Sequence, residues 1–206
     1  PLAREHRLSL RRREPRRLVE IPWDRFDRDR YSAAALDAAY GMHLRLAKGE
    51  QLAVETFSRV TASLVRVGAP LDVIGAAARV VNDEIRHADQ ALRAAAMLGG
   101  RRLDEVAVTV AEEELAARDR AYEGGLRTME EMDLWMAEVP AWGETLACGL
   151  LLACSGGVKD PVLRPMYRAL VADEVRHARL GWYWLAWRRA AWSSAEKRRI
   201  AERVQT

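Results

Sequence analysis

The chain has 206 residues, half of them hydrophobic and 31% charged, with a formal net charge of +3. That suffices for one domain with a continuous core and is too short for two full-sized enzyme domains. No run approaches eighteen uncharged apolar residues, which argues against a membrane span and for a soluble protein.

The charge is unevenly placed. Residues 1–17 carry seven arginines against Glu5 and Glu14, so the basic character belongs to an arm, read here as residues 1–30. Arg11–Arg13 are followed by Glu14, Pro15 and two more arginines where an export signal needs an apolar segment, so export is rejected. Without interleaved aromatics, a zinc motif or a recognition-helix pattern, the arm reads as a solvated tail and not as a nucleic-acid binder. The two cysteines, Cys148 and Cys154, fall six positions apart in one apolar stretch. On a helix that separates them by roughly 240° and about 9 Å, so they cannot bridge, and a reducing cytoplasm is expected.

From Tyr31 onward the composition predicts long helices: Ser32 to Val67, stopped at Gly68-Ala69-Pro70; Leu71 to Leu98, stopped at Gly99-Gly100; a third ending near Cys154; and a fourth from Pro161 to Ala191. A short tail helix from Ser194 completes the bundle domain, residues 31–206. Between the second and third helices, Arg101 to Pro140 forms a long crossover, helical around Glu112 to Tyr122 and extended at Val106-Val108-Val110. The expected architecture is all-α, two antiparallel hairpins joined by that crossover.

The hairpins repeat each other. Asp83-Glu84-Ile85-Arg86-His87-Ala88 recurs as Asp173-Glu174-Val175-Arg176-His177-Ala178, offset by 90 residues, which indicates an internal duplication. Glu and His at i and i+3 project from one helical face, separated by about 60° and 4.5 Å of rise, so both reach one ion. Carboxylate oxygen with imidazole nitrogen suits iron or manganese. Both pairs lie on apolar stripes (Ile74, Ala77, Val81, Ala91; Leu170, Val171, Gly181, Leu185), where unpaired polar groups would be costly and a cation offsets that cost.

A two-metal site needs one further carboxylate from the first helix of each hairpin. Glu144 supplies it in the second, thirty residues before Glu174. In the first hairpin two residues compete. Glu55 precedes Glu84 by 29 residues and, like Glu144, is followed by Thr, whereas Glu50 lies on the seam of Leu46, Ala53, Phe57, Val60 and Leu64. Glu55 shares its face with Lys48, Arg59 and Arg66 and makes a surface pair with Arg59, so Glu50 is preferred.

With these residues in place the sequence resembles the ferritin-like di-metal carboxylate superfamily over residues 32–190, and the Asp-Glu-x-Arg-His form resembles its O2-activating branch, which includes soluble methane monooxygenase hydroxylase and the ribonucleotide reductase small subunit. The resemblance implies a ferritin-like four-helix bundle in which Glu50, Glu84, His87, Glu144, Glu174 and His177 hold two iron ions, with manganese or a mixed pair as the other option. It also implies that Glu84 and Glu174 bridge, that Asp83 orients His177 and Asp173 orients His87, and that Arg86 and Arg176 balance those aspartates. The activity it implies is an O2-dependent oxidase or oxygenase acting on a small organic substrate with an external reductase. Iron oxidation or peroxide scavenging of the ferritin or rubrerythrin kind is the first alternative, and a non-catalytic metal-binding module the second. Leu170 stands where aryl-amine N-oxygenases of the superfamily carry a seventh ligand histidine, which argues against that chemistry.

Four other features are read from the residues alone. His43 lies about 10.5 Å along the helix from Glu50, too far for the same ions, and is expected in the core or at its rim. Cys148 is expected as a small buried thiol, with lining of a substrate pocket as the other option. Small residues beside the carboxylates (Ala53, Ala77, Ala88, Ala91, Ala141, Ala147, Gly181) permit either a cavity or close helix packing. Trp182, Trp184, Trp187 and Trp192 spread around the last helix too widely for one core, which leaves some for the tail helix or for a homodimer contact.

Overall fold

A computed structural model describes residues 20–121 and 126–204, with the backbone alone over 117–121. The part of the basic arm that precedes residue 20 lies outside the described residues. The described chain is helical, without strands.

Helix α1, Ala33–Arg66, begins where Ser32 accepts a hydrogen bond from the Ala35 amide. It ends where Gly68 turns at φ +69°, a conformation that suits a residue without Cβ. Pro70 then starts α2, Leu71–Gly99, which closes at Gly100 in the left-handed conformation, its amide and that of Arg101 donating to carbonyls of the last turn. The two helices pack along their length as the first hairpin. Phe57, Val60 and Leu64 of α1 meet Val73, Ala77 and Val80 of α2, which is the seam the sequence periodicity marked.

The crossover holds a 3-10 turn, Leu103–Glu105, a non-helical stretch and α3, Glu112–Ala121. Val106 is buried in extended conformation against Ala95 and Ala96. The third helix starts earlier than its sequence suggests. Thr128 and Glu131 form a capping box for α4, Met129–Met136, and the chain continues through a π-helical segment, Ala137–Gly143, into α5, Glu144–Gly157. Pro140 sits inside the π segment and does not end the helix. A proline has no N–H to give and crowds the carbonyl four residues back, and a wider turn accommodates both.

Asp160 accepts hydrogen bonds from the Val162 and Leu163 amides and opens α6, Leu163–Arg188. Helix α6 packs on α2, α4, α5 and the π segment, and α7, Ser194–Arg203, lies against α4. Trp184 is fully buried while Trp182 and Trp187 are exposed, as the spread of tryptophans required. Ahead of α1, Ile21 is buried with Val162, Met166 and Leu170; Arg28 donates to the Met97 and Leu98 carbonyls; and the Tyr31 hydroxyl donates to Asp160 at 2.6 Å. Residues 20–31 are therefore packed on the helices. Among the described residues no helix is long and apolar enough to cross a membrane.

Candidate metal centre

Four helices each send carboxylates or imidazoles to one region: Glu50 from α1, Glu84 and His87 from α2, Glu144 from α5, Glu174 and His177 from α6. Glu50, Glu84, His87 and Glu174 form one group whose ligand atoms lie within 4.8 Å of one another, and Glu144, Glu174 and His177 form a second. Glu174 belongs to both. Five of the six residues are buried and Glu144 is half-buried. Glu55, the competitor chosen by hairpin symmetry, pairs with Arg59 and belongs to neither group.

The two histidines point alike. His87 Nδ1 lies 3.3 Å from Glu84 and 3.3 Å from Glu174, and His177 Nδ1 lies 3.1 Å from Glu84 and 3.0 Å from Glu174. Their Nε2 atoms face outward, His87 toward Asp173 at 3.3 Å and His177 toward Asp83 at 3.5 Å. Each aspartate thus sits on the helix opposite the imidazole it holds. An Nε2–H donated to carboxylate leaves Nδ1 with its lone pair directed inward, the tautomer a metal ligand requires. Arg86 donates to Asp83 at 2.6 Å and also to Asp173, while Arg176 pairs with Asp173 and lies 3.8 Å from Asp83.

The donor set fits a divalent cation. Glu84 Oε2 and His87 Nδ1 are buried 3.3 Å apart without a well-formed hydrogen bond, and a cation coordinated by both would satisfy them. Four carboxylates and two imidazoles, all oxygen and nitrogen, suit iron or manganese better than a thiolate metal.

Metal-free, the cluster redistributes protons. Burial, with Glu84 adding to it, pushes Glu50 up to about 9, and burial with the charge of Glu174 holds Glu144 well above the carboxylate range. Burial works against charging His87 and His177, yet the surrounding carboxylates prevail: His87 is pushed up to about 9 and His177 well above its ordinary value. Glu84 and Glu174 are likewise opposed by burial but are lowered, because each contacts both imidazoles. Asp83 falls to about 2, burial being overcome by His177 and Arg86.

The flanking residues also have definite places. His43 is buried; its Nδ1 donates to the Ala39 carbonyl at 2.7 Å, which leaves Nε2 to accept from the Tyr167 hydroxyl at 3.1 Å. It is a satisfied core histidine. Cys148 is a buried thiol, raised by desolvation and by the nearby charges of Glu174 and Glu144. Leu170 is packed with Met166 and Tyr167. Gly181 serves close packing and not a cavity, because a Cβ there would overlap the backbone of Pro140 and Ala141.

Sequence reasoning missed Asp133, buried in α4, which accepts from Trp184 at 2.7 Å, Arg188 at 2.9 Å and Trp192. The one signal was an acid set among Met132, Leu134 and Trp135. No family model, no curated protein and no solved structure matches this chain.

Proposed function

We propose that the chain is a ferritin-like four-helix bundle, two antiparallel hairpins joined by the crossover, whose six carboxylate and imidazole residues hold two iron ions for an O2-dependent oxidase or oxygenase reaction. The observation that carries this reading is the convergence of Glu50, Glu84, His87, Glu144, Glu174 and His177 from four helices, with two buried ligand atoms among them, Glu84 Oε2 and His87 Nδ1, that make no hydrogen bond. Glu84 and Glu174 contact both imidazoles, the position a bridging carboxylate needs. Two ferrous ions bound there would supply the electrons for O2 reduction.

The protein's own groups do the rest. Asp83 and Asp173 hold the imidazole Nε2–H groups, and Arg86 and Arg176 pair with those aspartates. Glu144 is the one member of the six that is not fully buried, and its side is the one from which a small organic substrate would reach the centre. An external reductase completes the cycle.

A second reading, iron oxidation without an organic substrate, gains from the close packing at Gly181, which removes one source of space beside the centre. The test is anaerobic loading with ferrous ion followed by O2, with optical detection and an oxygen electrode. Two irons per chain and O2 consumption stimulated by an organic reductant-coupled substrate are expected. One or no tightly held ion overturns the di-metal centre, and uptake of hundreds of irons per particle favours the second reading.

A further inference from the structure

Helix α5 carries no charged residue from Thr145 through its end, in a chain that is 31% charged. Yet of its fourteen residues only Cys148 is buried. Leu146, Leu150 and Leu152 are 52, 68 and 55% exposed, and Trp142 just before the helix and Trp182 beside it are 43 and 48% exposed. Trp182 is tied to the face by its indole N–H, which donates to the Thr145 hydroxyl at 3.0 Å. Trp142, Leu146 and Leu150 share one side of the helix and expose on the order of 300 Å², the size of the largest apolar patch on a typical monomer, while Leu152, about 200° from Leu150, lies with Trp182 on the flank.

The face has an internal symmetry. Trp142, Leu146, Gly149, Leu150, Ala153 and Gly157 recur at helical spacing on one exposed stripe. An antiparallel copy of the helix crossing midway between Gly149 and Leu150 sets Trp142 opposite Gly157, Leu146 opposite Ala153 and Leu150 opposite Gly149. Every large residue meets a small one. Among the described residues nothing lies within 4 Å of a Cβ position at Gly149 or Gly157, so an incoming side chain can enter there. Large-against-small pairing lets helices interdigitate, and a patch that complements itself is what a two-fold contact demands.

We propose that α5 is the two-fold interface of a homodimer, formed by the antiparallel crossing of two copies of this helix. A chain with net charge +3 repels its copy least where it bears no charge, and α5 is such a place. A lipid surface fits less well, because helices that lie in a bilayer interface present lysine and arginine on their polar side and α5 has neither.

The experiment is sedimentation velocity of the full chain from about 1 to 100 μM, with far-UV circular dichroism as the check on folding. The parent sediments as a dimer. Leu150→Glu and, without adding charge, Ala153→Leu each retain helix content and weaken dimerisation by tenfold or more. Should Leu150→Glu fail to fold, Ala153→Leu decides. A parent that is monomeric throughout overturns the proposal, as does a dimer unaffected by Ala153→Leu. Parent protein that co-floats with phosphatidylcholine vesicles, and loses this in Leu150→Glu, replaces the second copy with a lipid surface.

Discussion

Arg86 on α2 donates to Asp173 on α6 while also holding Asp83 on its own helix. One guanidinium therefore joins the two carboxylates that fix the two inward-facing imidazoles, and the hairpins are linked at the layer just outside the candidate metal centre. The orientation of His87 depends on α6 and that of His177 on α2.

Asp83→Asn and Asp173→Asn therefore keep the fold but weaken metal affinity by roughly 10 to 100-fold, because an amide supports the imidazole tautomer less well than a carboxylate. Competition with a chelator of known affinity measures this. Parent-like affinity in both variants would show that the cross-helix contacts are dispensable.

Glu50 and Glu55 separate cleanly. Glu50→Ala removes a member of the buried group and loses one metal or most O2 reactivity. Glu55→Ala removes the i, i+4 partner of Arg59, costs on the order of 1 kcal/mol and leaves the metal content at the parent value. Metal analysis and thermal melts of both variants check the two outcomes, and reversal would make hairpin symmetry the better guide.

Metal binding releases protons. In the metal-free centre burial raises Glu50 to about 9 and also raises Glu144, and the surrounding carboxylates raise His87 to about 9 and also raise His177, so all four are shifted toward their protonated forms. Coordination needs ionised carboxylates and neutral imidazoles, so at pH 7 binding releases protons, with Glu50 and His87 as sources. Affinity consequently rises as pH climbs toward about 9, the value for Glu50 and His87, and falls as pH drops below 7. Calorimetry in two buffers of different ionisation enthalpy counts the protons, and a heat independent of buffer contradicts this proton inventory.

Asp133 ties α4 to α6 and belongs to neither candidate ligand group. Asp133→Ala strands the buried Trp184 indole N–H and the Arg188 guanidinium, and removing one partner of such a pair costs about 3 kcal/mol or more. Urea denaturation registers the loss, while the metal content of the folded variant stays at the parent value.

The helix ends were legible because glycine, proline and capping residues act locally: Ser32, Gly68 and Gly100 each set a boundary within their own turn. The duplicated Glu-x-x-His placed four of the six centre residues for the same reason, and the apolar seam selected Glu50. Asp133 was not legible, since its partners lie 51, 55 and 59 residues away and nothing near it in sequence announces them. The clasp of Tyr31 on Asp160, 129 residues apart, was hidden likewise. Pro140 misled for a different reason: residue identity marks a missing donor, but whether the chain breaks or widens there depends on what packs against it.

The π segment works as a phase adjuster. The Glu144 amide bonds to the carbonyl of Val139, five residues back, so one residue more than an α-helix needs is taken up before α5 begins. Each residue of an α-helix turns the chain by about 100°. Wound as an ordinary α-helix, the same residues would swing Glu144 by about that angle relative to α4 and turn the carboxylate from the centre, whereas deleting one residue from Ala137–Gly143 would restore ordinary winding and leave Glu144 nearly in phase. The wide winding of this segment thus sets whether the second hairpin can complete the candidate centre, and a chain could gain or lose its last carboxylate there without changing any of the six residues themselves.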